Sequence, residues 1–313
     1  MSHSSPTPKK GLYSPRTWPV WLGFALLRAV IHLPYSWLTA LSHSLAYPVK
    51  RIARRRRKIA EINLQACFPE LTQKQRDECI HKHFTSIVMG VFEMGMAWWL
   101  PAQRLQNKIH IEGKEHLERA LSHGKGVLLI SPHFTCLEII GRLFKMEISH
   151  PWSGMYRPNE NPVIEYFFRR DRSQFFSKLI SRDDIRTFVK ELRKNQIVWY
   201  APDQHFSKKG YVMAPFFGVP APTHPGTPRI VKMSGASVIP MEYLRKKNNQ
   251  GYTIKFYPPL DNYPTENEID NATRINACFE KMILNAPEQY FWLHRKFKNK
   301  NPEQTDIYRQ QGI

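Results

Sequence analysis

Two kinds of hydrophobic pattern alternate along this chain. Short, unbroken apolar runs read as buried strands. Longer stretches with apolar residues every third or fourth position read as helices. Val127-Leu-Leu-Ile130 is the clearest run, set off by Gly124-Lys-Gly126 and stopped by Ser131-Pro132. Ile139, Ile140, Leu143 and Phe144 follow at helical spacing, so the stretch predicts a strand, a turn and a helix. Ile197-Val-Trp-Tyr200 repeats the buried-strand pattern and ends in Ala201-Pro-Asp203. Further strands are expected at 108–111 and as a pair at 237–243 and 252–257. Thr72 and Gln75 form a capping-box signature that opens a helix through Trp99, with Cys79, Phe84, Ile87, Val88, Val91, Phe92 and Met96 on its apolar face. The Met- and Gly-rich positions 89–96 in it suit core packing first and a lipid-chain groove second. Other helices are expected at 114–122, around Ile164, Phe167 and Phe168, from Asp183-Asp184 to about 195, and at 269–285. Residues 210–228, rich in Pro and Gly, read as a long loop of a functional kind. The basic, aromatic stretch 288–298 reads as a membrane contact or a surface-covering tail. The alternation predicts an α/β fold with a mixed sheet flanked by helices.

The first 59 residues depart from this pattern. After a polar tail, residues 18–49 carry a single formal charge, Arg28, and scattered aromatics (Trp18, Trp21, Tyr35, Trp37, Tyr47). The length suits a spanning helix, but Arg28, His32 and Pro34 interrupt it, and no signal-peptide cleavage site is evident. The expectation is an uncleaved, membrane-anchoring helical segment, spanning once or lying at the interface. The other reading is a buried amphipathic helical hairpin. The run Lys50-Arg-Ile-Ala-Arg-Arg-Arg-Arg-Lys58 adjoins it and marks a cytoplasmic, anionic-lipid-facing flank. This divides the chain into an attachment segment, 1–59, and a catalytic domain, 60–313.

Composition sharpens the choice of partner. Lys and Arg outnumber Asp and Glu by 46 to 26, a net charge of +20 that calls for an anionic partner. No RNA- or DNA-binding signature accompanies the charge, so nucleic acid is not expected. Cys67, Cys79, Cys136 and Cys278 lack disulfide-framework or zinc spacing and read as reduced thiols. No second His or Cys stands at ligand spacing from His205, so neither a metal nor a cofactor is expected.

The candidate chemistry sits in the first strand–turn–helix corner. His133 falls in the turn and Glu138 in the first helical turn, where an acid is favoured electrostatically. A carboxylate that holds an imidazole in one tautomer makes it a good general base. The same spacing equally fits a structural His beside a helix-capping acid. No Ser or Cys nucleophile motif is present. Asp203, just past the end of a strand, stands where ligands gather in open α/β sheets.

Taken together, Cys67-Phe-Pro-Glu70, Glu93-Met-Gly-Met-Ala-Trp98, His133 with Glu138, Tyr156-Arg-Pro-Asn159, Trp199-Tyr-Ala-Pro-Asp203, Met233-Ser-Gly-Ala236 and Ala286-Pro-Glu-Gln-Tyr290 with Trp292-Leu-His294 closely resemble the late acyltransferases of lipid A biosynthesis, the lauroyltransferase-type enzymes of Gram-negative inner membranes. The resemblance covers residues 13–298. It implies a glycerol-3-phosphate acyltransferase-like fold, whose four motif blocks are matched by His133/Glu138, Arg172, Asp203 and Val238-Ile-Pro240. It further implies a catalytic His133/Glu138 dyad and a phosphate-facing Arg172 with Arg157 or Arg169 nearby. Asp203 and Asn159 would also contact substrate. The implied donor is an acyl-carrier-protein thioester of lauroyl type, and the implied acceptor a Kdo-bearing, tetraacylated, phosphorylated precursor at the cytoplasmic side of the inner membrane. Arg169, Arg170, Arg172, Lys190, Arg193, Lys194, Lys208 and Lys209 are the candidate cations for docking the acidic carrier. Relatives often read Asp-His-Asp-Tyr after Ala-Pro, whereas this chain has Asp203-Gln-His-Phe206.

Overall fold

The computed structural model of the protein describes residues 11–204, 210–298 and 306–312. The N-terminal tail 1–10 and the candidates His205, Lys208 and Lys209 lie outside the described residues.

Four helices come first: α1 (Trp18–Val30), α2 (Tyr35–Ile52), α3 (Arg54–Cys67) and α4 (Gln73–Trp99). The α4 helix begins as the sequence demands. The Thr72 hydroxyl accepts from Gln75 N–H, and the Gln75 side chain takes the Thr72 N–H in return at 2.8 Å. Strands and helices then alternate: β1 (Ile109–Glu112), α5 (Lys114–Ser122), β2 (Val127–Ile130), α6 (Leu137–Glu147), β3 (Trp152–Tyr156), α7 (Pro162–Arg172), β4 (Lys178–Ser181), α8 (Ile185–Arg193), β5 (Ile197–Tyr200), β6 (Val212–Phe216), β7 (Val219–Thr223), α9 (Gly226–Ser234), β8 (Ser237–Arg245), β9 (Tyr252–Phe256) and α10 (Glu268–Asn285).

Seven strands form one mixed sheet in the order β1-β9-β8-β2-β5-β3-β4. Only the β8–β9 pairing is antiparallel, so β8, β2, β5, β3 and β4 share one direction. The central strands β2 and β5 are buried along their whole length because helices cover both faces. The ends of β2, β5 and β3, at Ile130, Tyr200 and Tyr156, therefore open on the same edge, and the candidate site is built there.

The N-terminal segment is not a spanning helix. Among the described residues, no helix is long and apolar enough to cross a membrane. Pro34, which has no N–H and disfavours helix in the residue before it, separates α1 from α2. The two helices fold back on α4, and Leu27, Ile31, Leu38 and Ala46 join the same core as the sheet. Gly95 permits this approach: a Cβ there would lie 2.9 Å from Ile31 Cγ2 and 3.0 Å from Leu27 Cγ. The outer face remains apolar, exposing Trp18, Leu22, Leu26, Leu33, Trp37, Leu45, Tyr47 and Ile52.

Two other stretches differ from expectation. The loop at 210–228 contains an antiparallel hairpin, β6 with β7, turning at Phe217 and Gly218, both with positive φ. Its prolines are tolerated because each strand of a two-stranded ribbon has a free edge, and Pro215 and Pro220 face each other there. The 288–298 segment is not a surface tail. Tyr290, Trp292, Lys296 and Phe297 are buried, and Tyr290 bridges to Phe134 in the His133 turn.

Candidate active site

Backbone bonds fix the turn after β2 from several sides. Ser131 N–H continues the sheet to Tyr200 O, and the Ser131 hydroxyl accepts from the Trp199 indole at 2.7 Å. The buried Tyr243 hydroxyl on β8 donates to Pro132 O at 3.0 Å and accepts from Phe134 N–H at 3.3 Å. The 289–291 segment adds Thr135 N–H to Gln289 O and Phe291 N–H to His133 O, each at 2.9 Å. Gly90 on α4 lets the helix close on this turn, since a Cβ there would stand 2.4 Å from Thr135 O.

His133 is thereby held against Asp203. Its Nδ1 lies 2.5 Å from Asp203 Oδ1, and its backbone N–H donates to Oδ2 at 2.9 Å. A carboxylate acceptor makes Nδ1 the protonated nitrogen and leaves Nε2 with a free lone pair. Burial alone would push the Asp203 carboxyl up, but the positive charge His133 carries when protonated, together with its hydrogen bonds, outweighs burial and holds it below the usual carboxylate range. The Trp199 ring packs edge-on to the imidazole at 5.9 Å.

Glu138 has other partners, which corrects the expected pairing. Arg172 grips it in a two-pronged ion pair, Nη2 against Oε1 and Nε at 3.0 and 3.1 Å from the two oxygens. The Trp98 indole donates to Oε2 at 3.2 Å. Among the described residues no hydrogen bond joins Glu138 to His133. The reason is chain direction: α6 starts at Leu137 and carries Glu138 toward α7 and α4, while the end of β5 brings Asp203 alongside the imidazole. Arg172 is also braced by the Phe168 ring, 4.2 Å from its guanidinium carbon.

His133 and Arg172, one from each pair, face an open cleft of about 550 Å³. His133, Leu137, Met155, Phe168, Arg172, Trp199 and Tyr200 form its floor and one side. Arg157, Asn159 and Arg182 stand on the β3–β4 side, and Arg56, His294, Arg295 and Lys298 come from α3 and the C-terminal segment. The buried Glu165 also contacts the cleft, but Tyr156 OH and Asn159 N–H occupy its oxygens at 3.3 and 2.7 Å. The lining is thus strongly cationic. Beside it, Gly154, Phe175, Phe176 and Leu179 enclose a small apolar pocket behind Glu138 and Arg172.

Of the residues singled out from the sequence, His133, Asp203, Glu138, Arg172, Arg157 and Asn159 gather in or beside the cleft. Arg169 does not. It is exposed on α7 and outside the lining. Several docking cations are already engaged: Arg170 with Asp171, Arg193 with Met233 O and Lys194 with Glu191. Arg56, Arg182, Arg295 and Lys298 were missed, although two basic runs, 50–58 and 288–298, contain three of them. Among the described residues, no His/Cys/Asp/Glu cluster is arranged to hold a metal ion.

A family model described as bacterial lipid A biosynthesis acyltransferase matches residues 6–299. The chain belongs to that family. It is 37% identical to the lipid A biosynthesis lauroyltransferase of Escherichia coli, over 92% of this chain and 94% of that protein. To the palmitoleoyltransferase of the same organism it is 35% identical, over 94% and 95%. To its myristoyltransferase the identity is 25%, over 97% and 94%. Among solved structures, a 1-acyl-sn-glycerophosphate acyltransferase from Thermotoga maritima is similar at 13% identity, covering 80% of this chain and 96% of that one, with a TM-score of 0.38 that supports no further conclusion. The protein is accordingly an acyltransferase of lipid A biosynthesis.

Proposed function

We propose that the protein transfers a fatty acyl chain of lauroyl type from an acyl-carrier-protein thioester to the 3-hydroxyl of a primary acyl chain on a Kdo-bearing, tetraacylated lipid A precursor. The observation that carries this reading is His133, backed by the buried Asp203, in the lining of a cationic cleft. In this mechanism Nε2 of His133 takes the acceptor hydroxyl proton. The oxygen attacks the thioester carbonyl, a C–O bond forms, the C–S bond breaks, and the imidazolium returns its proton to the departing thiolate. Asp203 keeps the ring in the productive tautomer and stabilises the imidazolium. A thioester is activated enough to need no covalent acyl-enzyme. Proximity in a shared cleft supplies much of the remaining acceleration.

Glu138 acts here through Arg172. It fixes the guanidinium at the cleft wall, where Arg157 and Arg182 add charge suited to the acceptor's phosphate. The outward apolar face of α1 and α2, next to the basic flank 50–58, supports attachment to the cytoplasmic face of the inner membrane as an interfacial hairpin.

The test is direct. Purified protein in detergent is given dodecanoyl-, tetradecanoyl- and hexadecanoyl-carrier-protein with the tetraacylated acceptor, and products are read by mass spectrometry. One added acyl group, placed on a primary chain and most rapidly with the dodecanoyl donor, is expected. Transfer to glycerol-phosphate lipids in preference to the disaccharide would overturn the acceptor assignment.

A further inference from the structure

A buried lysine of the C-terminal segment plays no part in the mechanism above. Lys296 is 3% exposed, and among the described residues its Nζ has no hydrogen-bond partner. It lies 4.7 Å over the Phe216 ring. Buried ammonium groups are costly and are ordinarily paired, so an unpaired one needs an explanation. The groups whose charge acts on it come from three elements: Asp203 after β5, Cys67 at the end of α3 and Glu280 on α10. Asp203 is the strongest of them. The same segment supplies the Phe291 N–H that holds His133 O, and Tyr290 beside Asp203. Lys296 is thus linked to the catalytic corner by charge, and its segment by the Phe291 backbone bond.

We propose that Lys296 is a positioning residue for acyl transfer: its ammonium, buried without a hydrogen-bond partner among the described residues, adds to the His133 interactions that keep the Asp203 carboxylate anionic and turned to His133. The proposal rests on the reading of His133 as base and Asp203 as its orienting acid. Charge reaches further in a buried site than at the surface, so no direct contact with substrate is needed. The proton on Lys296 is itself labile. Burial pushes the ammonium down to about 8, against the opposing pull of Asp203. Above that pH the lysine becomes neutral and its field on the His133–Asp203 pair disappears. The consequence is an alkaline fall in turnover whose origin lies outside the cleft.

The experiment compares wild type with Lys296→Met and Lys296→Arg in detergent, with carrier-protein donor and disaccharide acceptor, over pH 6 to 10, subtracting uncatalysed thioester hydrolysis. Melting curves establish that each variant is folded. Lys296→Met should lower kcat roughly tenfold with KM for both substrates within about twofold, and it should lack the alkaline fall near pH 8. Lys296→Arg, which stays charged, should recover kcat and carry activity at least one pH unit higher than wild type. If Arg does not fold in the buried slot, Lys296→Met decides alone. A folded Lys296→Met with wild-type kcat and a superimposable pH profile overturns the proposal, as does a wild type with no alkaline fall. His133→Ala, run alongside, separates the two readings. Loss of turnover there with a wild-type-like Lys296→Met overturns only the lysine. Retained turnover in His133→Ala removes the base on which both depend.

Discussion

Both oxygens of Asp203 are bound by a single residue: His133 places Nδ1 2.5 Å from one and its backbone N–H 2.9 Å from the other. The carboxylate thus sets the tautomer of the ring and also its orientation relative to the turn. This predicts that Asp203→Asn, which cannot accept equally at both positions, will cost on the order of 10²–10⁴ in kcat, as will His133→Ala. The double variant should be little slower than either single, because the two act as a unit. Steady-state rates with saturating donor and acceptor check this. Near-normal turnover by His133→Ala would refute the assignment.

Glu138 and Arg172 form the second pair, and a different kinetic signature is expected of it. Glu138→Gln keeps the shape but removes the charge that anchors Arg172. KM for the phosphorylated acceptor should rise by about tenfold, with a smaller change in kcat. Arg172→Lys should behave similarly, since an ammonium cannot reproduce the two-pronged grip. Equal use of a dephosphorylated acceptor by wild type would contradict a phosphate role for this wall.

The cations that line the cleft but are distant from His133 should act chiefly on encounter. Reversing Arg182 and Arg295 to Glu together is expected to lower kcat/KM several-fold at low salt. The defect should shrink as ionic strength rises and charges beyond about 8–10 Å are screened. A salt series with the double variant and wild type measures it. An effect indifferent to salt would point to lost packing instead.

Removing residues 1–49 is a poor test of membrane attachment, because Leu27, Ile31 and Leu38 belong to the core and the truncated chain should unfold. Replacing the exposed Trp18, Leu22, Leu26 and Trp37 by Gln leaves that core intact. The variant should melt like wild type yet partition mainly into the soluble fraction with anionic vesicles. Residual binding through the basic flank should disappear in high salt. Unchanged sedimentation in high salt would show that this face is not the anchor.

His83 is expected to make stability pH-dependent on the acid side. It is fully buried on α4, with Nδ1 donating to Glu288 O at 3.1 Å and Nε2 unpartnered. Burial pushes its pKa down from 6.5 to about 4, the bond to Glu288 opposing only in part. Between those values the unfolded chain binds a proton that the native state refuses. Stability therefore falls as pH drops through that window, by up to about 3 kcal/mol. His83→Gln should flatten this segment of the curve relative to wild type in urea titrations at pH 7.5, 5.5 and 4.5. A variant with the wild-type slope would assign the acid lability elsewhere.

Local rules made much of this architecture legible in the sequence. The Thr72–Gln75 cap set the start of α4, the apolar runs at 127–130 and 197–200 named the central strands, and the placement of His133 and Asp203 just past those strands put both at the ligand-binding edge. These features depend on residues close together in the chain, where propensity and periodicity decide. Which acid serves His133 was not legible. Glu138 is five residues away in sequence and Asp203 seventy, yet the parallel register of β2 with β5 brings the distant one into contact and the start of α6 takes the near one to Arg172. The same holds for the basic, aromatic segments at either end. Their composition resembles that of surface and membrane contacts, but burial is a property of what packs on top of a residue. Only the folded chain buries Lys296, sets the inner face of α1 and α2 on α4, and leaves the outer face of those helices in solvent.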